Sequence, residues 1–324
     1  MNGICTLGND YVFDQLLALL NSIDAIIGSD IPVCIYPFDE QTQRISDAIA
    51  NRPNVFIYDN QKSIRRWDEF MLEASPASMN RKKYRIYGGH RRFCAFDGPF
   101  DKFVYLDADT LVMNSLDFVF QKLDEYDCVV YDFQFKYPDK VYNINSDQLF
   151  KVFDKHRLLN EIFCSGFYAS KQGLFNEEKI AELISYLRSG ERDILYPTGD
   201  QPVLNYMFMR SCISVYNFAH HLPANQVTGC TVTSKHFEEK DKILYDKGNR
   251  LTYLHYIGVP PYINQAVCAG ENIEFPYREL FLYYRYLHEP DKRPVFHNKP
   301  KPYDAPPPNL LTRALRKFKL IHQG

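Results

Sequence analysis

Apolar and polar positions change period several times along the chain, and the changes mark out alternating strands and helices. GICTL at the start has the length and character of a buried strand. YVFDQLLALLNSI then repeats apolar residues at helical spacing, with Phe13, Leu16, Leu17, Leu20 and Ile23 on one side. IPVCIYPF predicts a second strand, a polar helix follows over 40–51, and NVFIYD predicts a third strand. Strand, helix, strand, helix, strand with short links is the sequence form of right-handed βαβ units, whose parallel sheets bind ligands beyond the carboxyl ends of the strands. After a basic segment predicted to be helical over 81–96, KFVYL reads as a further strand, and CVVYDF and FCSGFYAS as two more. Helices are predicted over 177–187 and from TGDQPVLNYMFM onward, and RLTYLHYIG is a late strand. From Glu289 the periodicity gives way to Pro, Lys and His, with APPP at 305–308. The expectation is an α/β domain over 1–288, built on one mixed sheet flanked by helices, and a Pro-rich linker with a basic tail over 289–324.

Composition changes this picture little. A chain of 324 residues with 45% hydrophobic content can bury a large core. Its formal charge of −2 argues against a nucleic-acid binder, but the charge is uneven: residues 292–324 carry eight Lys or Arg against Asp304, a net of +7, which leaves −9 for the rest. Eight cysteines without a CxxC pair read as small core residues of a reducing compartment. The opening MNGICTLGND lacks a basic run ahead of an apolar one, and no stretch of 18 apolar residues occurs. The expectation is a cytoplasmic protein, at most peripheral on the inner membrane face.

Candidate chemistry is concentrated at KFVYLDADTLV, where a strand runs into Asp107 and Asp109. Residues i and i+2 of a strand point to one side, so the carboxylates project together if the extended geometry holds through Ala108. Two such charges repel unless a cation lies between them, and a divalent ion held by two carboxylates keeps positions open for substrate phosphates. The plainer alternative is a turn or cap aspartate beside a solvated one.

FVYLDADTLV resembles the metal-binding D-x-D signature of nucleotide-sugar glycosyltransferases with the GT-A fold, and in particular glycosyltransferase family 8. Further stretches agree in order and spacing: ICTLGNDY is similar to the family's first strand and nucleotide loop, CSGFYAS to its Asn-x-Gly segment, GDQPVLN to its Asp-Gln helix start, and LHYIG to its late His-x-x-Gly. The resemblance implies that Asp107, Asp109 and His255 hold a divalent cation, Mn²⁺ fitting an imidazole ligand better than Mg²⁺. It implies that Thr6, Asp10 and Tyr11 meet the nucleotide, Tyr11 by stacking on the base, with Asp107 and Gly258 at the diphosphate. Arg91 would reach phosphate or sugar, with Arg85 and Arg92 competing for that role. Asp200 would grip the donor sugar and Gln201 would lie near the anomeric carbon, although a helix cap explains Asp200 equally well. The implied reaction is metal-dependent transfer from a nucleotide sugar, UDP-linked by preference, with retention of configuration, to a carbohydrate, lipid-linked or small-molecule acceptor. Segments 137–147 and 220–225 are the expected acceptor lining.

Three positions depart from the pattern: Gly8 where an acidic residue is common, Cys164 in place of the Asn, and Pro261 in place of a Lys. They leave room for a non-catalytic nucleotide-sugar binder. A sugar nucleotidyltransferase is disfavoured, because TLGNDYVF has a single Gly and no basic residue to hold a triphosphate. NLLTRALRKFKLI in the tail predicts a basic amphipathic helix suited to a membrane surface, a partner or its own domain.

Overall fold

A computed structural model describes residues 1–75, 88–197 and 199–304. The predicted tail helix, Arg85 and Thr198 lie outside them. The central sheet has seven strands: β1 (Asn2–Gly8), β2 (Val33–Pro37), β3 (Val55–Ile57), β4 (Lys102–Leu106), β6 (Cys128–Val130), β7 (Phe167–Lys171) and β8 (Val215–Asn217), in the order β3-β2-β1-β4-β7-β6-β8. All run parallel except β7, which is antiparallel to both neighbours. β1 reads as an almost continuous apolar run because both of its faces are covered, as expected of a parallel central strand.

Three helices cover the first half: α1 (Phe13–Ile26), α2 (Gln43–Ile49) and α3 (Gln61–Ala74). On one face, Leu16, Leu19, Leu20 and Ile23 of α1 pack against Ile4, Ile35 and Val104. On the other, Trp67 and Phe70 of α3 join Phe93, Phe96 and Phe103. The sequence reading missed α3, whose many charged positions mask a strongly one-sided apolar stripe. Asn60 starts it, its side chain accepting from the backbone N–H groups of Lys62 and Ser63.

The segment predicted as a helix over 81–96 is, where described, a 3₁₀ stretch, Gly89–Asp97. Beyond β4 the chain forms β5 (Thr110–Val112), and much later a small sheet of β9 (Glu238–Lys240), β10 (Ile243–Asp246) and β11 (Asn249–Arg250) precedes β12 (Tyr253–His255). β12 pairs antiparallel with β5, Tyr253 opposite Val112 and His255 opposite Thr110. Past the expected boundary at residue 288 the chain stays on the body. Lys301–Pro302 pair with Ile273–Glu274, and Phe296 and Tyr303 pack on a third core of Leu111, Leu254, Tyr256 and Phe281.

Candidate active site

β4 delivers Asp107 to the carboxyl edge of the sheet. Its N–H donates to Gly166 O at 2.9 Å, which continues the β4–β7 ladder one step past Leu106. The chain then closes a tight turn in which both the N–H (3.1 Å) and the hydroxyl (2.7 Å) of Thr110 donate to Asp107 O. The register of β12 against β5 brings in the third residue: Tyr256 N–H donates to Asp109 O at 2.9 Å, and His255 Nε2 sits 3.3 Å from Asp109 Oδ1. Ligand atoms of Asp107, Asp109 and His255 all lie within 4.8 Å of one another. Sequence separation hides this cluster, and strand pairing creates it.

Gly166 makes the cluster sterically feasible. A Cβ there would stand 2.5 Å from His255 Cε1 and 2.9 Å from Asp107 Oδ2. The glycine of CSGFYAS is therefore required by close approach of the imidazole.

Burial penalises every charge in the cluster, and the partners decide the outcome. Asp107 is raised above the usual carboxylate range by burial and by Asp109, with Arg92 opposing. Burial also acts against Asp109, but the neighbouring His255 outweighs it and holds Asp109 low. His255 is likewise pushed down by burial, yet Asp109 lifts it well above an ordinary histidine. Two carboxylates and an imidazole of alternating preference, converging at the sheet edge, form a donor set that fits a divalent cation.

The arginine of the site is Arg92. Its Nη1 lies 3.0 Å from Asp107 Oδ1 and donates to Ser165 O at 2.8 Å, its Nε pairs with Asp200 Oδ2, and its guanidinium lies over the Tyr105 ring at 4.9 Å. Arg91, the expected residue, instead pairs with Asp68 at 3.2 Å and reaches the carbonyls of Pro37 and Phe38. The tighter 3₁₀ winding sets which of the adjacent arginines faces the aspartates.

Asp200 precedes the helix Gln201–Arg210, yet its side chain makes no cap hydrogen bond, so its carboxylate serves the Arg92 pair. Gln201 Oε1 accepts from Ser165 N–H at 3.0 Å, joining this helix to the Cys164–Gly166 segment. Asp132, not singled out from sequence, is buried beside them and accepts from the backbone N–H of Gln134 (2.7 Å) and Cys164 (3.1 Å). Burial raises it to about 7.

A cavity of about 280 Å³ adjoins the aspartates and is lined by Leu7, Gly8, Asn9, Tyr11, Val12, Gln15, Phe38, Asp107, Ala108, Asp109 and Pro261. Tyr11 is 49% exposed at its rim, free to cover a planar ring. Two residues expected at the nucleotide do not line this cavity. Asp10 accepts from the backbone N–H of Arg44 and Ile45, each at 3.2 Å, and so caps the start of α2. Thr6 is fully buried within the sheet and does not line the cavity. Asn9 lines it instead, fixed by donation to Asp39 Oδ2 at 2.8 Å and by acceptance from Tyr11 N–H. Gly258 turns at φ +84° after β12, where an L side chain is strained, and leads the chain back to Pro261 at the cavity wall. A second cavity of about 680 Å³ lies between Asp139, Tyr142, Asn143 and Asn145 of the expected acceptor segment and Asp193, Tyr196 and Pro197, just ahead of Asp200.

A mostly parallel sheet with one reversed strand, carrying an aspartate pair at its carboxyl edge beside a cavity, is the architecture of the GT-A class of nucleotide-sugar glycosyltransferases. The sequence profile of glycosyl transferase family 8 matches residues 6–260, and the chain belongs to that family. Mouse xyloside xylosyltransferase 1, in its apo form, shares the fold with TM-score 0.52 at 11% identity, over 80% of this chain and 98% of that one. An active-site mutant of LgtC gives 0.50 at 16% identity over 80% and 88%. The bifunctional glycosyltransferase WbbM gives 0.50 at 15% over 90% and 51%. No curated protein matches the chain.

Proposed function

We propose that this glycosyltransferase takes its sugar from a nucleoside-diphosphate donor, UDP-linked by preference, in a reaction that depends on Mn²⁺ and retains anomeric configuration. The observation that carries the reading is the convergence of Asp107, Asp109 and His255 on one point at the edge of a cavity rimmed by Tyr11 and Phe38. These three residues would hold the cation. When bound, it neutralises the diphosphate as negative charge develops on the leaving group.

The chain's own groups arrange the rest. Arg92 fixes Asp107 and Asp200 relative to each other, so a single buried guanidinium sets the spacing between the metal edge and the sugar side. Asp200 would meet the donor sugar's hydroxyls, and Gln201, oriented by Ser165, would face the anomeric carbon. Asp107 and Gly258 flank the diphosphate. The second cavity, lined by amide, carboxylate and tyrosine side chains, supports a carbohydrate acceptor, free or lipid-linked. All eight cysteines are free, which supports a reducing, cytoplasmic location, and any peripheral membrane contact would fall to the basic tail; no described helix is long and apolar enough to cross a membrane.

The test is a thermal-shift screen of nucleoside diphosphates with and without Mn²⁺, since a ligand bound only by the native state raises its melting temperature. UDP with Mn²⁺ should stabilise the protein, and Asp109→Ala should abolish the effect. Equal stabilisation of the variant would overturn the metal assignment. Tight nucleotide binding with no release of nucleoside diphosphate from any donor would favour a non-catalytic binder.

A further inference from the structure

The cavity beside the aspartates is poor in groups that could hold an anionic ligand. Neither Lys, Arg nor His is among its lining residues, and six of the eleven have no polar side-chain atom. Of the three side chains that can donate a hydrogen bond, Asn9 gives one amide N–H to Asp39, and Tyr11 stands at the exposed rim. The third is Gln15. It is 3% exposed, and its Nε2 makes no hydrogen bond.

A buried amide without a partner is unfavourable, and such groups are rare in folded proteins unless something else satisfies them. The helix places this one in the lining of the cavity that the aspartates share. Ser22 of α1 accepts the Val112 N–H of β5 at 2.9 Å, and Gln15, two turns earlier on the same face, reaches the wall shared with Asp107, Ala108 and Asp109. Pro261, also in the lining, offers no donor.

We infer that Gln15 binds the donor nucleotide, its amide, now closed to solvent, turning into the cavity so that Nε2 donates to an oxygen of the ribose-diphosphate portion. This rests on the nucleotide-sugar reading of the same site. It makes Gln15 a binding residue in a wall that holds no cationic side chain, and it explains how the apolar side of the cavity tolerates a polar ligand. The amide is uncharged, so it contributes orientation and leaves charge neutralisation to the metal side.

The test uses the full chain and four proteins: parent, Gln15→Leu, Gln15→Met and Gln15→Glu. Calorimetric titration with UDP in saturating Mn²⁺ should show affinity about tenfold weaker or more for Leu and Met, the loss of one hydrogen bond to a charged or strongly polar oxygen. Gln15→Glu, which replaces the donor by an acceptor, should be weaker still. Melting temperatures without nucleotide should be unchanged or higher for Leu and Met, because an unsatisfied buried group has gone. A second arm with inorganic pyrophosphate and Mn²⁺ locates the contact: loss with both ligands assigns it to phosphate, loss with UDP alone to the nucleoside side. Parent-like UDP affinity in Leu and Met, or full affinity in Glu, would overturn the assignment, as would a clear drop in nucleotide-free stability for both Leu and Met. If the parent binds neither UDP nor pyrophosphate, the nucleotide reading fails and this role with it. If the parent binds and the variants bind equally, only the role of Gln15 fails.

Discussion

Replacing Gly166 by alanine should disable metal binding while leaving the fold in place. The added methyl would stand 2.5 Å from His255 Cε1 and 2.9 Å from Asp107 Oδ2. Non-bonded carbons settle about 3.5–4.0 Å apart, so the ring must retreat by about 1 Å. Its backbone cannot follow: His255 N–H donates to Cys230 O at 2.8 Å, His255 O accepts from Val232 N–H at 3.0 Å, and the adjacent Tyr256 N–H holds Asp109 O. Metal–ligand distances tolerate about 0.2 Å, several times less than this displacement. Overpacking of this size costs about 1–3 kcal/mol of stability, which a domain with such extensive cores should survive. Mn²⁺ binding followed by titration calorimetry, or by the loss of the free-ion signal in electron paramagnetic resonance, should weaken by about 100-fold, with the circular dichroism spectrum unchanged. A folded Gly166→Ala protein that binds Mn²⁺ as tightly as its parent would refute the close-approach argument.

Other perturbations separate neighbouring roles. Arg92→Ala leaves the buried Asp200 and the partly buried Asp107 without their shared guanidinium and should cost about 3–5 kcal/mol in chemical denaturation, whereas Arg91→Ala, whose carboxylate partner Asp68 is partly exposed and keeps His90, should cost about 1 kcal/mol or less. A larger cost for Arg91→Ala than for Arg92→Ala would show that the side-chain assignments are reversed, and equal costs would refute the distinction between them. Arg92→Lys should keep much of the stability but lose most turnover in a nucleoside-diphosphate release assay, because an ammonium cannot bridge Asp107 and Asp200 as a guanidinium does. Asp132 supplies a pH signature. Its folded value, raised by burial from 3.8 to about 7, lies above the unfolded one, so its contribution is complete below about pH 4 and is lost as pH rises through 7. The loss totals about 4 kcal/mol. Asp132→Asn should flatten the decline in denaturation free energy between pH 5 and 8, and an unchanged slope would refute this origin.

The βαβ opening, the strand leading to Asp107 and the late strand ending at His255 were legible because each rests on local periodicity. The D-x-D spacing was equally plain, since strand geometry alone aligns residues two apart. Less legible were features set by tertiary phase. Arg91 and Arg92 are indistinguishable in sequence, and only the 3₁₀ winding turns Arg92 toward the aspartates. Asp10 fits a nucleotide loop as well as it fits the cap it makes for α2, and Thr6 gives no sign that its strand is covered on both faces. Gln15 sits among apolar helix positions, and its missing partner becomes visible only when every nearby acceptor has been located.

The pairing of β12 with β5 joins residue 255 to residue 110, so the cluster of Asp107, Asp109 and His255 is a seam between early and late parts of the chain. An ion seated there would act as a rivet, resisting the peeling of that two-stranded ribbon from the body. Scarcity of the cation would then loosen the polypeptide locally as well as silence it chemically, and amide protons of the ribbon would exchange faster in chelator-treated protein than anywhere else along the sheet edge.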